Sequence, residues 1–350
     1  MRALTYEGPN DIAVSDVPDP TPEAIDGAVV RVTAAGICGS DLHIYGGHGF
    51  STDTHYCVGH EAVGEVVAVG SAVRRFAVGD RVLVPASTGC TTCRPCRAGW
   101  VLGCENHQSG CYGLSHALEG SQAEAVAVPF ADGNLQLLPE GIDDDAALTL
   151  TDNLPTAWYG ARRARIQPGE TVAVIGLGPV GILSVLSAQV FGAARVLAID
   201  LVPERRAAAA ALGAEVLEPD DEGDVKAAFA EMTKGKGAGV VLEAVGADAT
   251  VDLATKLAGQ RGRVSVVGVN QNRAFPFHLP LAQIKELEFS IGLCSVQAEL
   301  PTLLPLVASG RLKPEVAVTH HLGLSEGVRA YEMFANREPG VGKIVLDPTR

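Results

Sequence analysis

Two rhythms in the 350-residue chain predict an α/β fold in two parts, a mostly-β domain and a doubly wound parallel sheet. Up to about residue 150, short Val-rich runs are separated by Gly/Pro turns. From about residue 154, apolar runs alternate with helical stretches, the order expected of a parallel sheet with helices on both faces. The length agrees, since ~150 residues per domain gives about two domains.

In the first part, "GAVVRVTAAGI" (27–37), "AVGEVVAVG" (62–70) and "DRVLVPA" (80–86) are β-branched runs bounded by turn residues, and predict strands. In the second, "ETVAVIG" predicts a strand, "PVGILSVLSAQVFGA" a helix, "ARVLAID" a strand, and "PERRAAAAALGA" an alanine-rich helix closed by glycine. "GVVLEAVG", "TVDLATKLAGQ" and "GRVSVVGV" continue the alternation. Beyond about Gly292 the pattern is mixed. "AELPTLLPLVASG" and "LSEGVRAYEMFANRE" predict helices, the second with Ser325 as N-cap, and "VGKIVLDP" predicts a strand. The acidic run 218–224 reads as a solvated turn.

Charge and hydropathy exclude several classes. A net charge of −14 with a pI near 5.1 argues against nucleic acid or an anionic membrane as partner. Thr171–Ala194 carries no charge for 24 residues, long enough to span a bilayer, but "GLGPVG" breaks any single helix there. The N-terminal residues lack the apolar core of an export signal, so a reducing cytoplasm is expected.

"VAVIGLGPVG" places Gly176, Gly178 and Gly181 between a strand and a helix. They supply a tight turn, room for a pyrophosphate beside the backbone, and close helix–strand packing. The free N–H groups of the helix then face the phosphates. Asp200 ends the next strand at the spacing of about 20 residues expected of a ribose-binding acid, which favours NAD and repels the 2′-phosphate of NADP. Arg205 and Arg206 lie nearby and in principle favour NADP, but at the start of an alanine-rich helix they are expected to face solvent.

Cys90, Cys93, Cys96 and Cys104 form a CxxCxxC(x7)C pattern in one short loop. Four thiolates at that spacing close a tetrahedral zinc site with no open position, which is structural. Disulfides are disfavoured by compartment. Cys38 in "GICGSDLH" and His60 in "VGHEAVGEVVAVG" are ligand types that catalytic zinc prefers. By residue type alone, a core cysteine and a turn histidine are the preferred reading of each.

Together, "GICGSDLH", "GHEAVGEVVAVG", the four-cysteine loop, "GLGPVG" and "GKIVL" occur in the order seen in zinc-dependent medium-chain alcohol dehydrogenases, which the whole chain resembles. "DGNLQLLP" and "TLTDNLPTAWYGA" resemble the bacterial branch acting on alcohols, aldehydes or polyols. The resemblance implies a GroES-like catalytic domain over 1–153 and 292–350, with a structural-zinc lobe at about 88–106, and a Rossmann domain over 154–291. It implies two zinc ions per chain and NAD. Cys38, His60 and Asp152 match the catalytic zinc ligands, Glu61 the carboxylate behind them, and Ser40 and His43 the proton relay. Gly176, Gly178, Pro179, Val180, Gly181, Asp200, Arg205, Val267, Val269 and Lys343 match cofactor positions, Lys343 near the phosphates.

The implied reaction is hydride transfer between an alcohol or carbonyl substrate and NAD, in a homo-oligomer (tetramer or dimer) with neither nucleic acid nor membrane as partner. Substrate-pocket residues are expected in the loops Gly46–Tyr56 and Tyr112–His116 and at Cys294. The alternatives are a family member with a different reaction and a non-catalytic binding protein; the Ser40/His43 relay speaks against the second. Asp152 also suits the N-cap of the helix that follows it. The family's proline before GHE is missing, Cys57 is unexpected there, and Cys57, Cys111 and Cys294 are not expected to be ligands.

Overall fold

The structure is a computed structural model describing residues 1–22, 24–49, 51–107, 109–218, 225–272 and 277–350. Apart from Glu218, the acidic run 218–224 lies outside the described residues. The chain divides into two compact units, Met1–Pro155 with Ser295–Arg350, and Thr156–Cys294.

Beside a three-stranded sheet of Arg2–Gly8, Asp11–Asp16 and Tyr56–Cys57 and a two-stranded one of Ser87–Thr88 and Gly110–Cys111, the first unit is built on a seven-stranded sheet. Its strands run in hydrogen-bonded order Gln136–Leu137, Arg81–Val84, Glu61–Val69, Ala28–Ile37, Lys343–Asp347 and Val318–Gly323, and Ala125–Val128 also pairs with Ala28–Ile37. Ala28–Ile37 sits centrally and is buried along nearly its whole length. Its one exposed residue, Arg31, faces Glu65 on the neighbouring strand and donates to it at 2.7 Å. Leu4, Val30, Ile37, Tyr56, Val66, Phe334 and Leu346 belong to the core on this sheet.

Register matters here because it fixes what lies at the end of the sheet. Gly36 pairs with Glu61, and Ile37 with Ile344. Cys38, Glu61 and Lys343 therefore emerge side by side from three strands. A Cβ at Gly36 would lie 2.1 Å from Glu61 Oε2 and 2.9 Å from Lys343 Nζ, so glycine is needed to admit both side chains.

One helix start differs from expectation. Ser325 lies inside a 3₁₀ turn, Leu324–Glu326, and the helix proper is Gly327–Ala335. The carboxylate of Glu326 accepts the N–H of Gly323 at 3.0 Å, so Glu326 supplies the local cap expected of the Ser325 hydroxyl.

The second unit holds a six-stranded sheet in the order Glu215–Leu217, Arg195–Ile199, Thr171–Ile175, Ala238–Glu243, Ala258–Val266, Glu288–Ile291, every pairing parallel. The order reverses at Thr171–Ile175, and dinucleotides bind outside the carboxyl ends of strands at such a switch point. The uncharged stretch from Thr171 splits into that strand and the helix Pro179–Val190, and no described helix is long and apolar enough to cross a membrane.

Candidate metal and cofactor sites

The sulfurs of Cys90, Cys93, Cys96 and Cys104 all lie within 4.8 Å of one another. The short helix Arg94–Arg97 and the 3₁₀ turn Val101–Gly103 wind the loop tightly enough to converge them. Gly89 makes room, since a Cβ there would lie 2.7 Å from Cys96 Sγ. Asn134, unremarked in the sequence, clamps Gly89 through both its N–H (3.1 Å) and its carbonyl (2.9 Å). Hydrogen bonds from the Thr92 hydroxyl and the Cys93 N–H pull Cys90 down to about 5, whereas burial and neighbouring thiols push Cys96 up to about 12. All eight cysteines are free of disulfides. This all-sulfur set fits one closed tetrahedral zinc site.

Cys38, His60, Glu61 and Asp152 form a second group, again with one ligand atom each inside 4.8 Å. Cys38 Sγ is 3.4 Å and His60 Nε2 3.7 Å from Asp152 Oδ2. Asp152 directly precedes the helix Asn153–Arg163, so helix-start and ligand placement are compatible. His60 Nδ1 stands 3.0 Å from Asp41 Oδ1, which turns Nε2 toward Cys38 and Asp152. Burial opposes a charged imidazole, but Asp41 and Asp152 outweigh it and raise His60 well above its ordinary pKa. Burial alone would raise Asp152, yet His60, Lys343 and Cys38 hold it down to about 2. Burial, Asp152 and Glu61 raise the Cys38 thiol. One thiol, one imidazole and two carboxylates with Lys343 as the paired cation make a donor set that fits a dication.

Glu61 is fully buried; Oε2 meets Lys343 Nζ and Oε1 accepts from Asn153 Nδ2 at 2.7 Å. The resemblance puts Lys343 near the cofactor phosphates; in the structure its ammonium is wholly buried between Glu61 and the carbonyl of Ile37 (3.0 Å). Ser40 Oγ lies 3.3 Å from His60 Nε2. His43 is on the helix Asp41–Tyr45, and burial, aided by His48, lowers its pKa. Asp41, Gln122 and Asn153 were missed in the sequence. Asp41 and Asn153 sit in quoted motifs, three residues from Cys38 and next to Asp152, but Gln122 carries no signal at a distance. Cys57, Cys111 and Cys294 stand outside both groups among the described residues. The N–H of Cys57 donates to Glu119 at 2.6 Å.

In the second unit, Gly176 has φ +85°, and a Cβ on Gly181 would lie 1.8 Å from the carbonyl of Gly176. Gly178 has open space where its Cβ would be, and Pro179 and Val180 start the helix after it. Asp200 accepts the N–H of Leu177 (2.7 Å) on one oxygen and of Val202 (2.8 Å) on the other, which fixes its carboxylate beside the turn. Arg205 and Arg206 are not the solvent-facing pair expected. The Arg205 side chain is 19% exposed with Nη1 4.0 Å from Asp200, and Arg206 donates to the carbonyl of Asp200 at 2.9 Å. Val267 is buried, and its N–H and that of Gly268 donate to the carbonyl of Glu243, while the carbonyl of Val269 lies against Gly246.

Residues 25–139 match the family model of the alcohol dehydrogenase GroES-like domain, and residues 179–309 that of the zinc-binding dehydrogenases. A probable zinc-binding alcohol dehydrogenase of Mycobacterium tuberculosis is 41% identical over 338 residues, 95% of this chain and 84% of that protein. The chain belongs to the zinc-dependent medium-chain alcohol dehydrogenase family. The solved alcohol dehydrogenase TADH from Thermus sp. ATN1 is 41% identical, with a TM-score of 0.91 over 99% of each chain. An alcohol dehydrogenase from Escherichia coli CFT073, solved with NADH, is 26% identical, with a TM-score of 0.87 over 99% of each chain. Membership makes this chain a zinc-dependent oxidoreductase of alcohols working with a nicotinamide dinucleotide, on a GroES-like domain and a Rossmann-like sheet.

Proposed function

We propose that Cys38, His60 and Asp152 hold the reactive zinc, that Cys90, Cys93, Cys96 and Cys104 hold a structural one, and that the enzyme oxidises an alcohol, or reduces the matching carbonyl, with NAD in preference to NADP. One observation carries the reading: three ligand types and Glu61 converge within 4.8 Å while Asp41 turns Nε2 of the imidazole into the group. When bound, zinc lowers the pKa of a coordinated hydroxyl toward ~7.

The chain's own groups do the rest. Ser40 Oγ, beside His60 Nε2, accepts the hydroxyl proton while passing its own outward, and His43 is the acceptor at the end of the relay. A depressed pKa keeps His43 neutral, hence able to accept, to lower pH than an ordinary histidine. Lys343 neutralises Glu61, so the buried carboxylate stays available behind the ligands without opposing Asp152. Asp200, fixed by two backbone N–H groups, presents an acceptor to ribose hydroxyls and repels a 2′-phosphate. A higher kcat/KM with NADP would refute the cofactor preference.

The substrate is a secondary alcohol, a polyol or an aldehyde/alcohol pair. The two compact units support the domain division at about residues 153 and 292. Eight disulfide-free cysteines support a cytoplasmic enzyme. A homo-oligomer, tetramer or dimer, is supported by the edge strand Glu288–Ile291 of the parallel sheet, near which Ile284, Ile291 and Leu293 are well exposed.

The deciding experiment is Asp152→Asn with metal analysis. Asn caps a helix about as well as Asp but is a poor anionic donor. The variant should fold, bind less than two zinc per chain, and lose about a hundredfold or more in kcat/KM. Two zinc ions and near-normal turnover would remove Asp152 from the site.

A further inference from the structure

Gln122 is fully buried and uses both ends of its amide. Its Nε2 donates to the carbonyl of Gly36 at 2.8 Å and to Asp41 Oδ2 at 3.2 Å, and its Oε1 accepts from the Tyr331 hydroxyl at 2.9 Å. A flipped amide would set its oxygen against a carbonyl and a carboxylate, so only one orientation satisfies the network. The backbone is clipped as firmly: Gln122 N–H donates to Val58 O at 3.0 Å, and Leu4 N–H to Gln122 O at 2.8 Å. Gly59, next to His60, has φ +90°, and a Cβ there would lie 2.3 Å from Gln122 Cγ. The side chain therefore packs directly under the turn that carries His60.

Asp41 is the hinge of the arrangement. Its Oδ2 accepts the backbone N–H of Cys38 at 2.9 Å, and its Oδ1 faces His60 Nδ1 at 3.0 Å. One buried carboxylate thus sets both the backbone of Cys38 and the ring of His60. A carboxylate can rotate about its last bond; the donors from Cys38 and Gln122 on Oδ2 together limit that rotation and so keep Oδ1 beside the imidazole. Tyr331, on the helix Gly327–Ala335, in turn fixes the amide.

We propose that Gln122 is a positioning residue for the reactive zinc, acting through Asp41 on Cys38 and His60 together. This rests on the reading of those two residues as ligands. Groups that orient ligands from behind typically contribute 10–100-fold to metal affinity, and Gln122 stands one step further back.

The test uses the zinc-loaded enzyme and a colorimetric chelator that reports zinc release over time, with the four-cysteine site as internal control. Gln122→Met keeps the volume and removes all three side-chain hydrogen bonds. It should release one zinc about tenfold faster than wild type, with the second zinc unchanged. Tyr331→Phe, which deletes a single oxygen and is the safer variant for folding, should speed the same release about two- to threefold. Release of both zinc ions at wild-type rates in both variants overturns the proposal, and so does equal acceleration of both ions, which marks general loosening. A wild-type chain that binds only one zinc would instead overturn the ligand reading beneath it.

Discussion

The two metal-ligand groups reach the same density of donors by opposite routes. Cys90, Cys93, Cys96 and Cys104 come from one loop and need only two short helical turns to converge. Cys38, His60, Glu61 and Asp152 come from separate segments, brought together by strand register and neutralised by Lys343, 282 residues beyond Glu61. The first is all sulfur, with every donor serving the loop itself. The second mixes sulfur, nitrogen and oxygen, and is backed by Asp41, Gln122 and Asn153. The four-cysteine group rests on local chain; the mixed group draws its support from distant strands of the sheet.

If that contrast is right, damage to one group should leave the other intact. Cys104→Ser should have the largest effect: one zinc lost, and with it much of the ~10 kcal/mol that a structural zinc adds to local folding. Limited proteolysis should then cut first within residues 90–104, while the zinc near Cys38 is retained. Loss of both ions would break the comparison.

Lys343→Met strikes the dispersed group. Removing one partner of a buried ion pair costs about 3–5 kcal/mol at neutral pH. Burial already raises Glu61, and without the ammonium its folded-state pKa climbs further above the unfolded value. A folded state that binds the extra proton gains stability as pH falls, so the deficit should shrink between pH 7 and pH 5. Urea titrations at the two pH values measure this; an equal deficit at both would show that Glu61 is not the group left unpaired.

The smallest effect belongs to His43→Gln, which touches neither donor set. Both zinc ions should stay, and kcat at pH 7 should fall about tenfold to a hundredfold. The wild-type acid limb should lie below the ordinary histidine value, because burial and His48 favour the neutral ring. That limb should vanish in the variant. A pH profile unchanged by the substitution would take His43 out of the proton path.

Legibility in the sequence followed the same contrast. The four-cysteine loop and the glycine turn were readable because their spacing is their geometry: residues near in sequence must be near in space. The alternation after residue 154 marked the parallel sheet for a related reason, as each strand–helix unit repeats a local pattern. Cys38 and His60 were not readable as ligands from residue type; only their motifs, taken as a family resemblance, singled them out. Gln122 gave no signal, since a polar residue becomes an orienting group only when burial and register set its partners around it. Lys343 was singled out by the resemblance alone, and nothing in the sequence announced that it would be wholly buried against Glu61.

The Glu61–Lys343 pair also sets a timetable. At ~5–20 residues per second, the ribosome adds Lys343 about 15–60 s after Glu61, whereas Cys104 follows Cys90 within about one to three seconds. The lobe can take its ion while the chain is still being made. The central strand Ala28–Ile37 must wait for its neighbour Lys343–Asp347, and until that strand arrives Glu61 has no ammonium to meet. During that interval the carboxylate has either to remain in water or to carry a proton. On the ligand assignment proposed above, a zinc ion bound early by Cys38 and His60 would sit in a half-built cradle until the final strand joins the sheet.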